Sequence, residues 1–315
     1  MTLQRTRALT KVGFFLLFLF APLLNIFRFD LVLGHFIIFG QAWTITIEPI
    51  LHGGGAVDAA VKIFTRVLIP GMAFVTITGV FIWKFGRIYC GWLCPHFSVV
   101  ELINELMLKH LNRVTLWEKA SKASKGLLPW LIVFAAAISM AFLWSVGLLS
   151  YLLDPKTLLV DLVQGDLGFG STVFISAATI IFTLDFLFAR HLFCKYGCAL
   201  GLFQSLIWMA NKQAQIVKFN RKRAKACREC TQNSKSNNPP CDEACPMRLP
   251  TRNMKRAKFT CTQCVQCISA CSEVQKNDPE GSLLTWVNGE QAIEVDRGAS
   301  KFKENEIGIT IKEVK

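Results

Sequence analysis

No Cys-x2-Cys-His occurs anywhere in the 315 residues, which excludes covalently attached c-type haem. No small-x-small cleavage site follows the first apolar run, Val12–Phe27, although Arg5, Arg7 and Lys11 precede it as the charged end of a signal peptide would. That run is therefore expected to remain as an uncleaved helix. Acidic residues are few, 22 Asp and Glu against 35 Lys and Arg, and charged residues make up only 18% of the chain. Apolar residues abound instead: 52% of the chain is hydrophobic, Phe alone counts 25, and mean hydropathy is +0.38. This is the composition of a membrane protein rather than of a soluble enzyme.

Four segments are long and apolar enough to be read as bilayer spans: Val12–Phe27, Val67–Trp83, Leu127–Leu149 and Ser171–Ala189. Lys and Arg crowd residues 1–11, 84–126 and 190–226 and are sparse in 28–66 and 150–170. The positive-inside rule then places both termini in the cytoplasm of a multi-pass inner-membrane protein. Most of the net charge of +13 is explained by this topology, with no nucleic acid needed. Leu31–Ile47, broken by Gly34, Gly40 and Gln41, is expected to form a re-entrant or interfacial piece on the outer face. His35, and His52 in the loop His52-Gly53-Gly54-Gly55, are read as solvated loop histidines in preference to quinone or metal contacts.

Eight of the twelve cysteines fall between Cys227 and Cys271. The first run is Cys227-x2-Cys230-x10-Cys241-x3-Cys245-Pro246, and the second is Cys261-x2-Cys264-x2-Cys267-x3-Cys271. Three thiolates at Cys-x2-Cys-x2-Cys spacing reach successive corners of an iron–sulfur cubane, and a more distant fourth belongs to the neighbouring cluster. Zinc knuckles share the first pair but seldom add a third and fourth cysteine at these intervals. Disulfides are not expected in a domain that faces a reducing compartment.

The other four cysteines form two Cys-x3-Cys pairs. Arg87-x2-Cys90-x3-Cys94-Pro95 follows the second apolar span, and Arg190-x3-Cys194-x3-Cys198 follows the fourth. Each pair precedes a stretch with apolar residues at helical spacing, Phe97–Leu111 and Leu200–Met209. The first stretch is expected to lie on the inner membrane surface as an amphipathic helix opened by Pro95. The pattern is that of an internal duplication, two two-helix halves with a site at their interface. Four thiolates there suit a third iron–sulfur cluster, a zinc or copper ion, or a redox dithiol, and the spacing does not choose among them. Arg87 and Arg190 are candidate contacts for a quinone or another anionic cofactor, although as flanking positives they read first as topology signals.

The ordered pieces resemble membrane polyferredoxins of the NapH/NosR/MauN kind, and more closely the CcoG/FixG/RdxA kind. The resemblance rests on Phe193-Cys194-Lys195-Tyr196-Gly197-Cys198 with Phe203-Gln204-Ser205, and on Cys245-Pro246 through Thr260-Cys261-Thr262-Gln263-Cys264 to Cys271-Ser272-Glu273-Val274. It implies an α-helical integral membrane protein of four transmembrane helices, in duplicated halves, with a small cytoplasmic bacterial-ferredoxin-like α+β domain. The expected division is residues 1–210 for the membrane domain, 211–226 for a basic linker, 227–276 for the cluster domain, and 277–315 for a tail. Asn288-Gly289 suggests a β-hairpin in that tail. Analogy with two-cluster ferredoxins implies that Cys227, Cys230, Cys241 and Cys271 hold one [4Fe–4S] cluster and Cys245, Cys261, Cys264 and Cys267 the other.

NapH-like relatives imply quinol oxidation with transfer to a partner redox protein. CcoG-like relatives imply Cu(II) reduction for oxidase assembly, and a third reading is an accessory subunit of a respiratory complex. Three features depart from these families. Ala199 follows Cys198 where proline is usual, ten residues separate Cys230 from Cys241 where two are usual, and the immunoglobulin-like extension of CcoG-type proteins does not follow.

Overall fold

A computed structural model describes residues 3–44, 56–113, 116, 126–227, 230, 239–253 and 255–295. His52 and the tail beyond 295 lie outside the described residues. The chain divides into two compact units, Leu9–Ile77 with Cys94–Phe193, and Met1–Ala8 with Thr78–Leu93 and Cys194–Lys315.

In the first unit, helix Leu128–Ser150 packs along helix Phe169–Leu184. Helix Pro95–Leu111 packs on Leu128–Ser150 through a core of Val99, Val100, Ile103, Met107, Val133, Ala137 and Trp144. Pro95 occupies the first turn of its helix, as expected, and the chain leaves that helix through left-handed Asn112. One face of this helix is buried, ten of its residues in all, and Leu102 and Leu108 stay exposed on the other. Among the buried ten is Glu101, which forms an ion pair with Lys11.

Three helices are long and apolar enough to cross a membrane, Ala60–Phe85, Leu128–Ser150 and Phe169–Gly197. Helix Leu3–Phe20 occupies the place of the first expected span but carries Arg5, Arg7 and Lys11 within its 18 residues. It ends seven residues before Phe27, because Pro22 and left-handed Asn25 follow it and Phe27 already belongs to a strand.

The described part of the segment read as re-entrant or interfacial, residues 31–44, completes a β-meander. Strands Phe27–Asp30, His35–Ile38 and Gln41–Trp43 pair antiparallel in sequence order. The second turn is made by Phe39 and Gly40, both at positive φ (49° and 75°), the geometry that matches a two-residue loop to strand twist. His35 sits on this sheet, its Nδ1 3.1 Å from the Leu33 carbonyl.

Helix Pro155–Gln164 is capped by Asp154, whose Oδ2 accepts from the Thr157 backbone N–H at 3.1 Å and the Thr157 hydroxyl at 3.0 Å. Its Oδ1 receives Arg28 at 3.2 Å. The Thr157 amide, above all, holds this carboxyl below its ordinary range. A depressed carboxylate adds stability above its unfolded pKa of about 3.9 and loses it as pH falls through the folded value. Asp154→Ala is expected to lower stability by about 1 kcal/mol near neutral pH, read as a lower unfolding midpoint in detergent. The penalty should fade in acid; one that persists there would show that the carboxylate is not the cap.

In the second unit, strand Ile216–Phe219 pairs antiparallel with Leu284–Val287, Ile216 opposite Val287 and Phe219 opposite Leu284. This overturns the expected tail hairpin. Asn288-Gly289 does not reverse one strand onto the next; it leads into a helical turn over residues 290–295. The strand that Leu284–Val287 needs comes instead from the stretch read as a linker, so the cluster-bearing unit begins before Cys227 and extends past Lys276. Between the strands the described residues form short helices only, chiefly Pro240–Glu243 and Gln266–Val274.

Candidate metal centres

The second cysteine run folds around left-handed residues. Gln263 (φ 53°) and Val265 (φ 56°) punctuate Cys261–Cys267, and the Gln263 N–H donates back to Cys261 Sγ at 3.4 Å. Cys245 arrives from the first run, its Sγ accepting the Leu249 N–H at 3.4 Å. Cys245, Cys261, Cys264 and Cys267 together line a cavity whose empty volume, mouth included, is about 410 Å³. The remaining wall is half apolar, Val217, Met247, Leu249 and Val265, and half polar, Thr251, Lys258, Thr262 and Gln263.

Burial and the neighbouring Cys261 thiol push Cys245 up to about 12. Burial first, then Cys261 and Cys264, also push Cys267 upward. Such thiols give up their protons to a metal, not to water.

Cys227, Cys230, Cys241 and Cys271 gather separately. Cys227 lies in the electrostatic range of Cys230 and Cys271, and Cys241 in that of Cys271. Gln275 Nε2 donates to Cys230 Sγ at 3.2 Å, and the Leu283 N–H to Cys271 Sγ at 3.3 Å. Amide donors on sulfur are a recurrent means of setting cluster potential. Among the described residues no three His, Cys, Asp or Glu side chains close to the spacing of one metal ion.

Lys258 is the residue that sequence reasoning missed. It is 2% exposed, its Nζ donates to the Val217 carbonyl at 2.8 Å, and it lines the cavity beside Cys245, Cys261 and Cys267. Burial lowers its pKa, while these thiols act in the opposite direction.

Three of the other four cysteines also meet within this unit. Arg87, 1% exposed, donates to the Cys194 carbonyl at 3.1 Å and to Ser205 Oγ at 3.2 Å. Cys90 donates to Gln204 Oε1 at 3.1 Å and lies near both Arg87 and Cys198. Burial raises the Cys90 thiol, and the Arg87 charge opposes that rise. Cys198 Sγ accepts the Gly201 N–H at 3.4 Å.

Cys94 opens the other unit, where it caps helix Pro95–Leu111. Arg190, also 1% exposed, belongs to that unit and donates to Asn104 Oδ1 at 2.8 Å from a strained positive-φ backbone (φ 27°). Both arginines, read first as topology signals, are buried.

These features are those of a cysteine-rich protein with helices long and apolar enough to cross a membrane. A family model described as a 4Fe-4S binding domain matches residues 67–113 and 169–223. The two stretches each contain one Cys-x3-Cys pair, so the match falls on the duplicated pattern. The chain is 25% identical over 208 residues to YccM of Escherichia coli, a protein named as a candidate for electron transport; that alignment covers 64% of this chain and 51% of YccM. It is 27% identical over 195 residues to the ferredoxin-type protein NapH of Haemophilus influenzae, covering 59% and 60% of the two chains. It is 28% identical over 176 residues to the methylamine utilization ferredoxin-type protein MauN of Methylorubrum extorquens, covering 56% and 53%. These alignments span between half and two thirds of each relative. No solved structure matches. Over these stretches the chain is similar to the membrane ferredoxin-type polyferredoxins.

A buried ammonium beside cluster thiolates favours the reduced, more negative state. Lys258→Met is therefore expected to lower the midpoint potential of one cluster by tens of millivolts, with iron content retained. Redox titration followed by electron paramagnetic resonance measures it; an unmoved potential would show that the charge is not felt.

Proposed function

We propose that the chain takes electrons from quinol in the membrane and delivers them to a partner redox protein on the cytoplasmic side. The crossed quartets, Cys227, Cys230, Cys241 and Cys271, and Cys245, Cys261, Cys264 and Cys267, would hold two [4Fe–4S] clusters. The pairs Cys90 with Cys94 and Cys194 with Cys198 would serve a third. Each bound cluster would accept and release one electron at a time.

The observation that carries this reading is the cavity in which Cys245, from the first run, joins three cysteines of the second. Zinc half-sites pair cysteines within a run and do not call for that exchange. Support for the third cluster comes from the 4Fe-4S binding domain match, which falls on the Cys-x3-Cys stretches. Quinol is the reductant that a membrane-embedded carrier encounters; its oxidation to quinone releases two protons and two electrons, which leave singly. The buried Arg87 keeps a fixed positive charge beside Cys90, where added negative charge would be stabilised. Helix Leu3–Phe20 would complete four spans, with both termini cytoplasmic.

Anaerobically purified protein is expected to contain about twelve irons and as many acid-labile sulfides. Cys245→Ser should alter the spectrum of the cluster bound by Cys261, Cys264 and Cys267 and spare the other. A change confined to the other cluster would show that the runs do not cross. For orientation, reporters fused after Leu111 and after Lys315 should both read cytoplasm, and one near Gly165 the outer side. A periplasmic reading at Lys315 would reverse the proposed delivery.

A further inference from the structure

The loop of the second cysteine run is docked on the segment that carries Cys90. Gly91 is the point of closest approach. A Cβ built there would lie 2.3 Å from the Thr262 carbonyl oxygen and 3.1 Å from the Cys264 N and Cα, all backbone atoms with little freedom to yield. The contact is fastened on several sides. Arg7 Nε donates to the Gly91 carbonyl at 2.8 Å, and Gln4 Nε2 donates to Ser269 Oγ at 3.0 Å and to the Cys264 carbonyl at 3.4 Å. Trp92 Nε1 donates to the Gln263 carbonyl at 3.1 Å, and its ring stacks on Trp286 with centroids 6.1 Å apart. A second close approach lies nearby. Gly86, at φ 68°, leaves room for the Trp208 ring, and Trp208 belongs to the apolar cluster that Cys261 packs against. Cys90, which lies near Cys198, thus directly precedes the residue that touches the loop of Cys261 and Cys264.

We propose that Gly91 is a positioning residue. It holds the Cys-x3-Cys thiols within short tunnelling range of the quartet Cys245, Cys261, Cys264 and Cys267. That quartet is then the first to exchange electrons with the Cys-x3-Cys site, and the quartet of Cys227, Cys230, Cys241 and Cys271 comes after it, toward the outgoing partner. Each transfer moves one electron, supplied by quinol, with no bond made or broken in the protein. Any side chain larger than hydrogen at position 91 must push the Thr262–Cys264 backbone away, since packed interiors hold no spare space to absorb a methyl group. Tunnelling falls off exponentially with that gap.

This inference rests on the proposed third cluster, and one set of measurements separates the two. Iron content of the wild-type full chain tests the third cluster. About twelve irons sustains it; about eight would remove it, and this inference with it. Given twelve, Gly91→Ala should keep its iron and sulfide. In the reduced protein it should weaken the magnetic interaction between the Cys-x3-Cys centre and the second-run cluster. Reduction of the ferredoxin-type clusters by duroquinol should slow several-fold, while reduction of the Cys-x3-Cys centre keeps its rate. Trp92→Phe, which removes one hydrogen bond without adding bulk, should move both readouts in the same direction by less, and it decides the matter if Gly91→Ala does not assemble. Wild-type coupling and rates in the iron-replete variants would overturn the assignment.

Discussion

The burial of Arg87 is the constraint on which the cysteine-bearing unit depends. A guanidinium withdrawn from water is tolerated only where acceptors meet it. The Cys194 carbonyl and Ser205 do so here, and both come from a stretch far from Arg87 in sequence. Gly201 leaves the space the side chain needs, since a Cβ there would sit 2.5 Å from Arg87 Nη2. Satisfying one cation therefore draws the two segments that carry Cys90 and Cys194 together, before any metal chemistry is considered. The same charge lies in the field of Cys90, so the group that organises the fold also bears on the reactivity of the thiol beside it.

Around the two quartets the balance is different. The described chain between the paired strands has little regular structure, and many of its buried positions are occupied by cysteine, lysine, threonine and glutamine rather than by large apolar side chains. Where a small domain binds metals, the binding free energy contributes to its folding. The left-handed residues Gln263 and Val265 are consistent with this, because backbone strain persists only where the surroundings over-determine it. Arg223 adds a polar tie, pairing with Asp278 and Glu280 across the base of the module.

Much of this was legible in the sequence, for identifiable reasons. The grouping of Cys245 with the second run was what the analogy with two-cluster ferredoxins implied, and these four residues line one cavity. The three helices long and apolar enough to span a membrane coincide with three of the expected spans, because a continuous apolar run is a local signal. What failed was non-local or depended on a few residues. Pro22 and Asn25 ended the first apolar run early. The pairing of Leu284–Val287 with Ile216–Phe219 could not be read from Asn288-Gly289, which marks a turn whether or not a strand follows. Lys258 stands among Arg248, Arg252, Lys255 and Arg256, and nothing in composition distinguishes the buried cation from its neighbours. Gly91 is equally silent, since a close backbone approach is a property of two segments and only one is visible at a time.

The strand pairing sets an order in time as well as in space. Ile216–Phe219 leaves the ribosome before any of the eight clustered cysteines, and its partner Leu284–Val287 leaves after all of them. While the nascent chain grows, the thiols therefore emerge with one edge of their sheet already made and the other still missing. Until the last strand arrives that sheet cannot form, and the strand then closes it like a clasp.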